Sequence, residues 1–512
     1  MKSPAKSWAA IAGAVVVILV LGGWLLHLQA KRSVSRLKER LAAEGATFDL
    51  KKLVPPPVPI AENGAAEFLG AQVLFVAEDH KVHPTPMSIV APGRARCVWM
   101  ESNAPTSEVA DLWPGLRKEV AANRDALGKL RAALERPRFE FPVNYSGGFM
   151  NMGFTHLVPL KSAVRRLSAA VMMDLRDGNL DEAWLNLRSQ SAVSVRWHDE
   201  PVLISDLVRA AIVSIAAATT WSALQHPDWS EARLAELQRL WEFVPTNAAS
   251  GRALAMERVM MGDEYEIMRE DPGRLRDSLA AFGKAASKGL IDDFFEVGEK
   301  VLESPREGLE MFLNVGPRRW AWRPWNSYYD EGWAIETVEL YLKTSRAIDA
   351  GKSYAELAGA LRGAVAERGE PPPQYLVSAI SDGVFGTFLE KMVLMETQRR
   401  MVVTAIALRR HKLALGSWPA TLEELVPKFL NTVPVDPMDA KPLRYRRGAD
   451  GEPVLYSVGL DGVDTEGDPS PAKGESKNWM QGRDIVWPRR ASVGELAEHL
   501  ADLQGKRRVG RP

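Results

Sequence analysis

The strongest constraint on this chain is an apolar stretch close to its N-terminus. Ala9 to Leu28 contains no Asp, Glu, Lys or Arg, and a helix of about 20 apolar residues is long enough to cross the hydrocarbon core of a bilayer. Lys2 and Lys6 precede the stretch, and we expect no second stretch of the chain to match it. The sequence therefore predicts a single-pass membrane protein with almost all of its mass on one side.

The apolar stretch could be a cleaved signal or a retained anchor. The apolar region of a cleaved signal is about 7 to 15 residues long, which is shorter than Ala9 to Leu28. The residues after it, Leu28-Gln29-Ala30, make a poor cleavage site, since small residues are preferred there. We therefore expect a retained anchor within residues 1–30.

The charges around the anchor leave its orientation open. Lys31, Arg32, Arg36, Lys38 and Arg40 follow the stretch, and such an excess of positive charge is typical of the cytoplasmic side. A short basic N-terminus before a long apolar run instead resembles a signal anchor, and bacterial proteins with this layout usually export the body. We expect a protein of the inner membrane with a periplasmic body, and a cytoplasmic body is the alternative.

Bulk composition excludes several classes of function. The 65 Lys and Arg residues equal the 65 Asp and Glu residues, so the whole chain has no basic surplus with which to bind nucleic acid. Cys97 is the only cysteine, which excludes an internal disulfide and a zinc cluster built from cysteines of one chain. We predict a membrane partner and no nucleic-acid partner.

Composition divides the rest of the chain into four parts. These are a juxtamembrane helix and proline-rich stalk (31–62), a mainly helical body (63–384), a small α+β module (385–490) and a basic tail (491–512). The stalk is assigned because the prolines between Leu53 and Pro59 impose an extended backbone. The fold class is therefore mainly α.

Within the body, apolar residues recur at intervals of three and four between Leu157 and Val244, which predicts stacked antiparallel helices. Asp177 to Leu187 resembles half of a tetratricopeptide repeat, although only one such copy is legible. Two short segments, Gln72 to Val76 and Arg96 to Met100, have β-like composition. Ala366 to Pro373 is predicted to be a linker or long loop.

The C-terminal part carries an ordered series of motifs after a predicted helix from Phe385 to Leu415. The motifs are LGSWPATLEELVP (Leu415 to Pro427), VPVDP (Val433 to Pro437), PLRY (Pro442 to Tyr445), LYSVGLDG (Leu455 to Gly462) and DIVW (Asp484 to Trp487). Their order resembles the C-terminal domain of the major pseudopilin of type II secretion, protein G. The N-terminus lacks the prepilin cleavage motif of that family, so we do not expect a pilus subunit.

The resemblance implies a helix leading into a small antiparallel sheet, followed by a calcium loop. Asp461 and Asp484 lie where the family places its calcium carboxylates, and Asp464 and Asp468 offer further oxygen atoms. Calcium binds about six to eight oxygen ligands, so these residue types suit the ion. The alternative is a solvated acidic loop whose aspartates stabilise turns. An insertion from Pro469 to Asn478 departs from the family pattern.

Two further groups of residues have chemical potential. Trp320 to Tyr329 interleaves aromatic residues with arginine and could stack bases or hold an anionic glycan, but we interpret it as filling a crossover between helices. Glu257, Asp263, Glu264 and Glu266 share one predicted helix. They could do acid–base chemistry, but we interpret them as a solvated helix face.

No sequence motif indicates catalysis. The chain has no H-E-x-x-H, phosphate-loop, G-x-S-x-G or dinucleotide-binding pattern, and Ser146 has no recognisable base. We therefore expect a non-enzymatic structural or interaction protein of the bacterial envelope that binds a protein partner. The alternatives are an envelope hydrolase with its site in the helical body, and an assembly factor for a secretion machine.

Overall fold

A computed structural model describes most of the chain. The described residues are 4–76, 84–106, 109–146, 152–197, 199–244, 247–271, 273–275, 322–372, 374–378, 383–471 and 478–509. In this part the protein is mainly helical, with a small sheet-containing C-terminal region. The predicted fold class is confirmed at that level.

Helices form the bulk of the described structure. They are α1 (Pro4–Ala43), α2 (Ala65–Gln72), α3 (Trp113–Ala122), α4 (Arg124–Ala133), α5 (Leu157–Arg176), α6 (Leu180–Arg196), α7 (Leu203–Ala223), α8 (Glu231–Glu242), α9 (Asn247–Glu270), α10 (Ser327–Asp349), α11 (Tyr354–Arg368), α12 (Val384–Leu415) and α13 (Val493–Val509). A π-helical segment, Trp322–Asn326, leads directly into α10, and we call it the tryptophan turn.

Helices α5, α6 and α7 form the antiparallel stack that the apolar spacing predicts. Gly178 lies between α5 and α6 with φ of 76°, a backbone conformation that glycine adopts without steric cost. Ala183 is fully buried where α6 packs on α5, because a small side chain allows the helices to approach closely. Helices α8 and α12 continue the stack.

The prediction that no second stretch matches the N-terminal one is wrong. By length and composition, the described helix α7 could cross a membrane, but 67% of its most apolar segment is buried inside the protein. It packs against α5, α6, α9 and α12. Its hydropathy is therefore that of a core helix.

In the described part of the chain, six short strands form two three-stranded sheets. The strands are β1 (Met87–Ala91), β2 (Arg94–Cys97), β3 (Arg444–Arg447), β4 (Pro453–Ser457), β5 (Ile485–Val486) and β6 (Arg489–Arg490). In the first sheet β2 pairs antiparallel with β1 and parallel with β6, and in the second β4 pairs antiparallel with β3 and β5. Strand β5 belongs to the second sheet and β6 to the first. Because these two strands are nearly consecutive, the end of the chain connects the two sheets.

The C-terminal module shares its core with the helical body. Helix α12 begins at Val384 and ends at Leu415, which confirms the predicted helix, and it packs along α7 and α8. Phe429 and Leu455 of the module belong to the same buried cluster as Ile212 of α7. The module therefore forms part of one continuous hydrophobic core with the body.

Two sequence-based predictions of local structure are wrong. Gln72 to Val76 does not form a strand, because α2 extends to Gln72 and a turn follows. The proline-rich segment does not lift away as a stalk. Leu53 and Val54 pack beside buried Met256 and Met260 of α9, and the backbone N–H of Val58 donates to the Glu140 carboxylate at 2.5 Å.

Candidate functional site

Helix α1 changes the character of its exposed face along its length. Its first half exposes apolar side chains, each with more than half of its surface accessible: Ile18, Val20, Leu21, Trp24, Leu25 and Leu26. From Lys31 to Arg40 the exposed positions are polar or charged, among them Arg32, Arg36 and Arg40. An unbroken helix whose free face is apolar and then charged is typical of a chain that leaves a membrane for water.

The second half of α1 is fixed to the body along one stripe. Ala30, Val34 and Leu41 are buried, and their separations of four and seven residues, about one and two helical turns, place them on one face. Lys38 on the same stretch forms a 2.6 Å ion pair with Glu331 of α10, whose side chain is almost fully buried. The second half of α1 and the body are therefore joined by direct packing.

The tryptophan turn continues this contact towards the apolar half of α1. The indole N–H of Trp325 donates to the Gly23 carbonyl at 2.9 Å. The ring of His27 donates from Nδ1 to the Pro324 carbonyl at 2.7 Å and meets the Tyr328 ring edge-on at 5.4 Å between centroids. For the described part of Trp320 to Tyr329, the interpretation as a filler between helices agrees with these contacts.

Asp330 holds the tryptophan turn from the body side. Its carboxylate is fully buried and accepts from Trp322 Nε1 and Tyr265 Oη, both at 2.8 Å, from the backbone N–H groups of Val377 and Ser378, both at 3.0 Å, and from the Ser378 hydroxyl. Burial raises the pKa of Asp330, and the hydrogen bonds oppose that rise. Asp330 therefore connects three segments that are distant in sequence.

The four predicted calcium carboxylates stabilise loop backbone. Asp484 is fully buried, and its Oδ2 accepts the backbone N–H groups of Thr465 at 3.1 Å and Gly467 at 2.6 Å. Asp461 accepts from Val463 N, and Asp468 accepts from Ser470 N. These contacts are the turn-stabilising role that the alternative interpretation assigns to the loop.

Asp464 makes side-chain contacts as well as a backbone contact. Its carboxylate accepts from Tyr456 Oη at 3.2 Å, Glu466 N at 2.9 Å and Arg444 Nε at 3.3 Å. Within the residues that the structure describes, no three His, Cys, Asp or Glu side chains are grouped closely enough to hold a metal ion. The structure thus does not bring the four aspartates together as ligands, and calcium binding stays a prediction of the resemblance.

The acidic residues of α9 do not form one solvated face, and that interpretation is wrong for Glu257 and Glu264. Glu264 is buried and forms a bidentate ion pair with Arg274 at 2.7 and 2.9 Å. Burial raises the pKa of Glu257 to about 7, although a hydrogen bond from the Leu203 backbone opposes the rise. Asp263 is half-buried with a raised pKa, chiefly from burial, and only Glu266 is exposed.

A second polar cluster surrounds the N-terminus of α7. The Glu200 carboxylate accepts from the Ser205 hydroxyl and contacts His156 Nε2 at 2.9 Å. In a Ser-His-acid triad the imidazole stands between the hydroxyl and the carboxylate, whereas here the carboxylate stands between the other two. His156 therefore cannot accept the Ser205 proton directly, and the cluster does not have the geometry of an activated nucleophile.

Sequence reasoning missed two residues that organise these regions. Asp330 has no local signal, since its partners come from distant segments. Asp436 is the aspartate of the VPVDP motif, and it is fully buried. It accepts from the backbone N–H groups of Met438 and Val458 and from the Ser457 hydroxyl. The two prolines that flank it could have indicated a turn that needs a side-chain acceptor.

The comparisons with known proteins return no relative. No protein-family model, curated protein or solved structure matches this chain. The functional argument therefore rests on the geometry of the described residues.

Proposed function

We propose that this protein is a non-enzymatic, membrane-anchored structural or interaction protein of the bacterial cell envelope. The first half of α1 is a single-pass anchor in the inner membrane, and the body lies on the periplasmic side. The helical stack is a scaffold that carries the C-terminal module, which resembles the pseudopilin G domain, as the docking surface for a protein partner.

One observation supports the proposal that α1 is a membrane anchor. The exposed face of α1 is apolar up to Leu26 and charged from Lys31, while the helix continues without a break to Ala43. Within the described part of the chain nothing buries these apolar side chains, so they favour another apolar environment. A bilayer supplies one of the matching thickness.

The docking role is supported by the position of β3. This strand lies at one edge of its sheet, and Arg446 and Arg447 on it are exposed. An edge strand can accept a further strand from a partner, and exposed charges restrict which partner can approach. The edge therefore favours a protein partner with complementary acidic residues, such as a component of an envelope or secretion assembly.

The anchor is tested by placing charge on the exposed face of α1. Arginine at the centre of a spanning helix costs about 2.5–3.5 kcal/mol, so the double variant Ile18→Arg, Leu21→Arg loses about 5–7 kcal/mol of insertion free energy. After carbonate extraction we expect the unaltered chain in the membrane pellet and this variant largely in the supernatant. A matched control, Ser35→Arg with Glu39→Arg, adds arginines to exposed positions beyond the boundary and should stay in the pellet.

Retention of both double variants in the membrane pellet would overturn the anchor. Retention of the Ile18→Arg, Leu21→Arg protein in the pellet would mean that membrane association does not depend on this face. Release of the control together with it would indicate general misfolding. Size-exclusion chromatography of both variants in detergent separates that case, since a misfolded body elutes as aggregate.

An envelope hydrolase is the second candidate, and the carboxyl groups near the N-terminus of α7 favour it. Burial raises the pKa of Glu257 to about 7 and that of Asp206 to about 6, and perturbed acids of this kind occur at active sites. We expect purified protein to release no soluble fragments from peptidoglycan sacculi. Release that the Glu257→Gln variant abolishes would favour the hydrolase over the scaffold.

A further inference from the structure

The contact between the tryptophan turn and α1 indicates where the turn lies along the apolar part of this helix. Trp325 bonds to Gly23, which precedes Leu28, the last residue of the uncharged stretch, by five positions. At 1.5 Å of rise per residue, this contact lies about 7–8 Å inside the end of the stretch. The turn therefore lies alongside the apolar part of α1 and not beyond it.

The other side of α1 at this level is free and apolar. Trp24, Leu25 and Leu26 are 57%, 60% and 54% exposed, and they need lipid if the stretch spans a bilayer. The turn contacts another face of α1 at the level of these three side chains. The turn therefore lies at the same depth in the bilayer as they do. Its own composition of tryptophan and proline beside Tyr328 is typical of residues at the boundary of a membrane with water.

Polar groups of Trp325, Pro324 and Arg323 in the turn are paired within the protein, which lowers the cost of placing the turn there. Trp325 Nε1 is bonded to Gly23, and the Pro324 carbonyl to His27. The guanidinium of Arg323 donates to the backbone carbonyls of Arg269 and Glu270. A polar group can leave water at low cost when its hydrogen bonds are satisfied.

We propose that the tryptophan turn lies in the interfacial layer of the membrane that α1 spans, as a second contact with lipid. The depth of about 7–8 Å worked out above matches the roughly 5–10 Å that interfacial amphipathic segments enter. Together with the packing of α1 on α10, this contact fixes how the body faces the membrane. The inference rests on the proposed anchor and adds the lipid surface as a partner of the body itself.

Spin labelling of the full chain in vesicles tests the inference. The chain with Cys97→Ser receives one cysteine at a time: Asn326→Cys in the turn, Leu21→Cys on the free face of α1, or Val493→Cys, which is 87% exposed on α13. Vesicles of phosphatidylethanolamine and phosphatidylglycerol hold each protein. We expect the Asn326→Cys label to be relaxed more by oxygen than by a water-soluble nickel complex, at a depth between the other two labels.

The three labels separate failure of the inference from failure of the anchor. If the Asn326→Cys label is as accessible to nickel as the Val493→Cys label while the Leu21→Cys label stays in lipid, the turn lies in water and the inference is wrong. If the Leu21→Cys label is itself in water, the anchor fails. A turn label reached by neither reagent means that protein covers it, which also overturns the inference.

A second labelling site controls for disturbance of the turn by the Asn326→Cys substitution. Tyr329→Cys places the label three residues further on, at a half-buried position in the first turn of α10. We expect the same preference for oxygen over nickel there, at a shallower depth than at Asn326→Cys. Nickel accessibility at both sites in proteins that elute as monodisperse particles contradicts the interfacial placement.

Discussion

Replacing Asp330 provides the most direct energetic test of how the body holds the tryptophan turn. In the native protein, Asp330 Oδ2 accepts from Trp322 Nε1 and Val377 N, and Oδ1 accepts from Ser378 N and from the hydroxyls of Tyr265 and Ser378. Three of these donors are N–H groups that cannot change role. The two hydroxyls can rotate and act as acceptors.

The two substitutions at this position should differ in magnitude. Asp330→Ala removes the carboxylate that accepts from three buried N–H groups, and losing such an acceptor costs about 1–3 kcal/mol for each group, so we expect a loss of about 3–9 kcal/mol. In Asp330→Asn the amide can place its oxygen towards Trp322 and Val377 and its nitrogen towards the hydroxyls. Only the bond from Ser378 N is then lost, and we expect a cost of about 1–3 kcal/mol.

Guanidinium unfolding of the full chain in detergent, followed by tryptophan fluorescence, measures both costs. The matched control is Asp125→Ala, an exposed aspartate of α4 in an (i, i+4) pair with Lys129, which should change stability by less than about 0.5 kcal/mol. A loss below about 1 kcal/mol for Asp330→Ala, or equal losses for the two Asp330 variants, would refute the role assigned to this carboxylate.

Three further predictions concern single side chains. Burial raises the pKa of Glu257 from 4.5 to about 7, so this carboxyl group keeps its proton to a higher pH in the folded protein than in the unfolded chain. The free energy of unfolding should therefore fall by up to about 3 kcal/mol as the pH rises from about 4.5 to 7. In urea titrations, Glu257→Gln should remove that part of the pH dependence. Asp484→Asn should lower the thermal midpoint by several degrees even in excess EGTA, because its carboxylate binds two backbone N–H groups without a metal; a loss seen only with calcium present would instead indicate a metal ligand. Burial raises the pKa of Cys97 to about 12, so a maleimide at neutral pH should label this thiol only after denaturation, and rapid labelling of the native chain would contradict its buried position.

Regular periodicity made the helices predictable from sequence. The apolar spacing between Leu157 and Val244 predicts helices where α5 to α7 lie. The predicted helix from Phe385 to Leu415 agrees with α12 to within one residue, because a buried stripe and a glycine end, Gly416, are local features. The β-like composition of Gln72 to Val76 led to a wrong prediction, because a strand requires a neighbouring strand with which to pair. Arg94 to Cys97 forms a strand and pairs with two neighbours.

The organising carboxylates could not be predicted, because their partners are distant in sequence. Asp330 bonds to Tyr265 and to residues 377–378, which lie 65 and 47–48 positions away. The acidic residues of α9 carry no sequence sign that burial would perturb them. For the loop aspartates, the residue types suited both a calcium site and turn stabilisation. Only the positions of the hydrogen-bond donors around each carboxylate in the structure show which contacts these aspartates make.

The side of the membrane on which the body lies is the central claim that a single measurement can test. A C-terminal tag on the full chain is exposed to protease in intact spheroplasts and, for comparison, after lysis. We expect digestion in intact spheroplasts, which would place the body in the periplasm with its proposed envelope partner. Protection until lysis would mean that the basic residues after the anchor hold the body in the cytoplasm, and it would contradict the envelope scaffold.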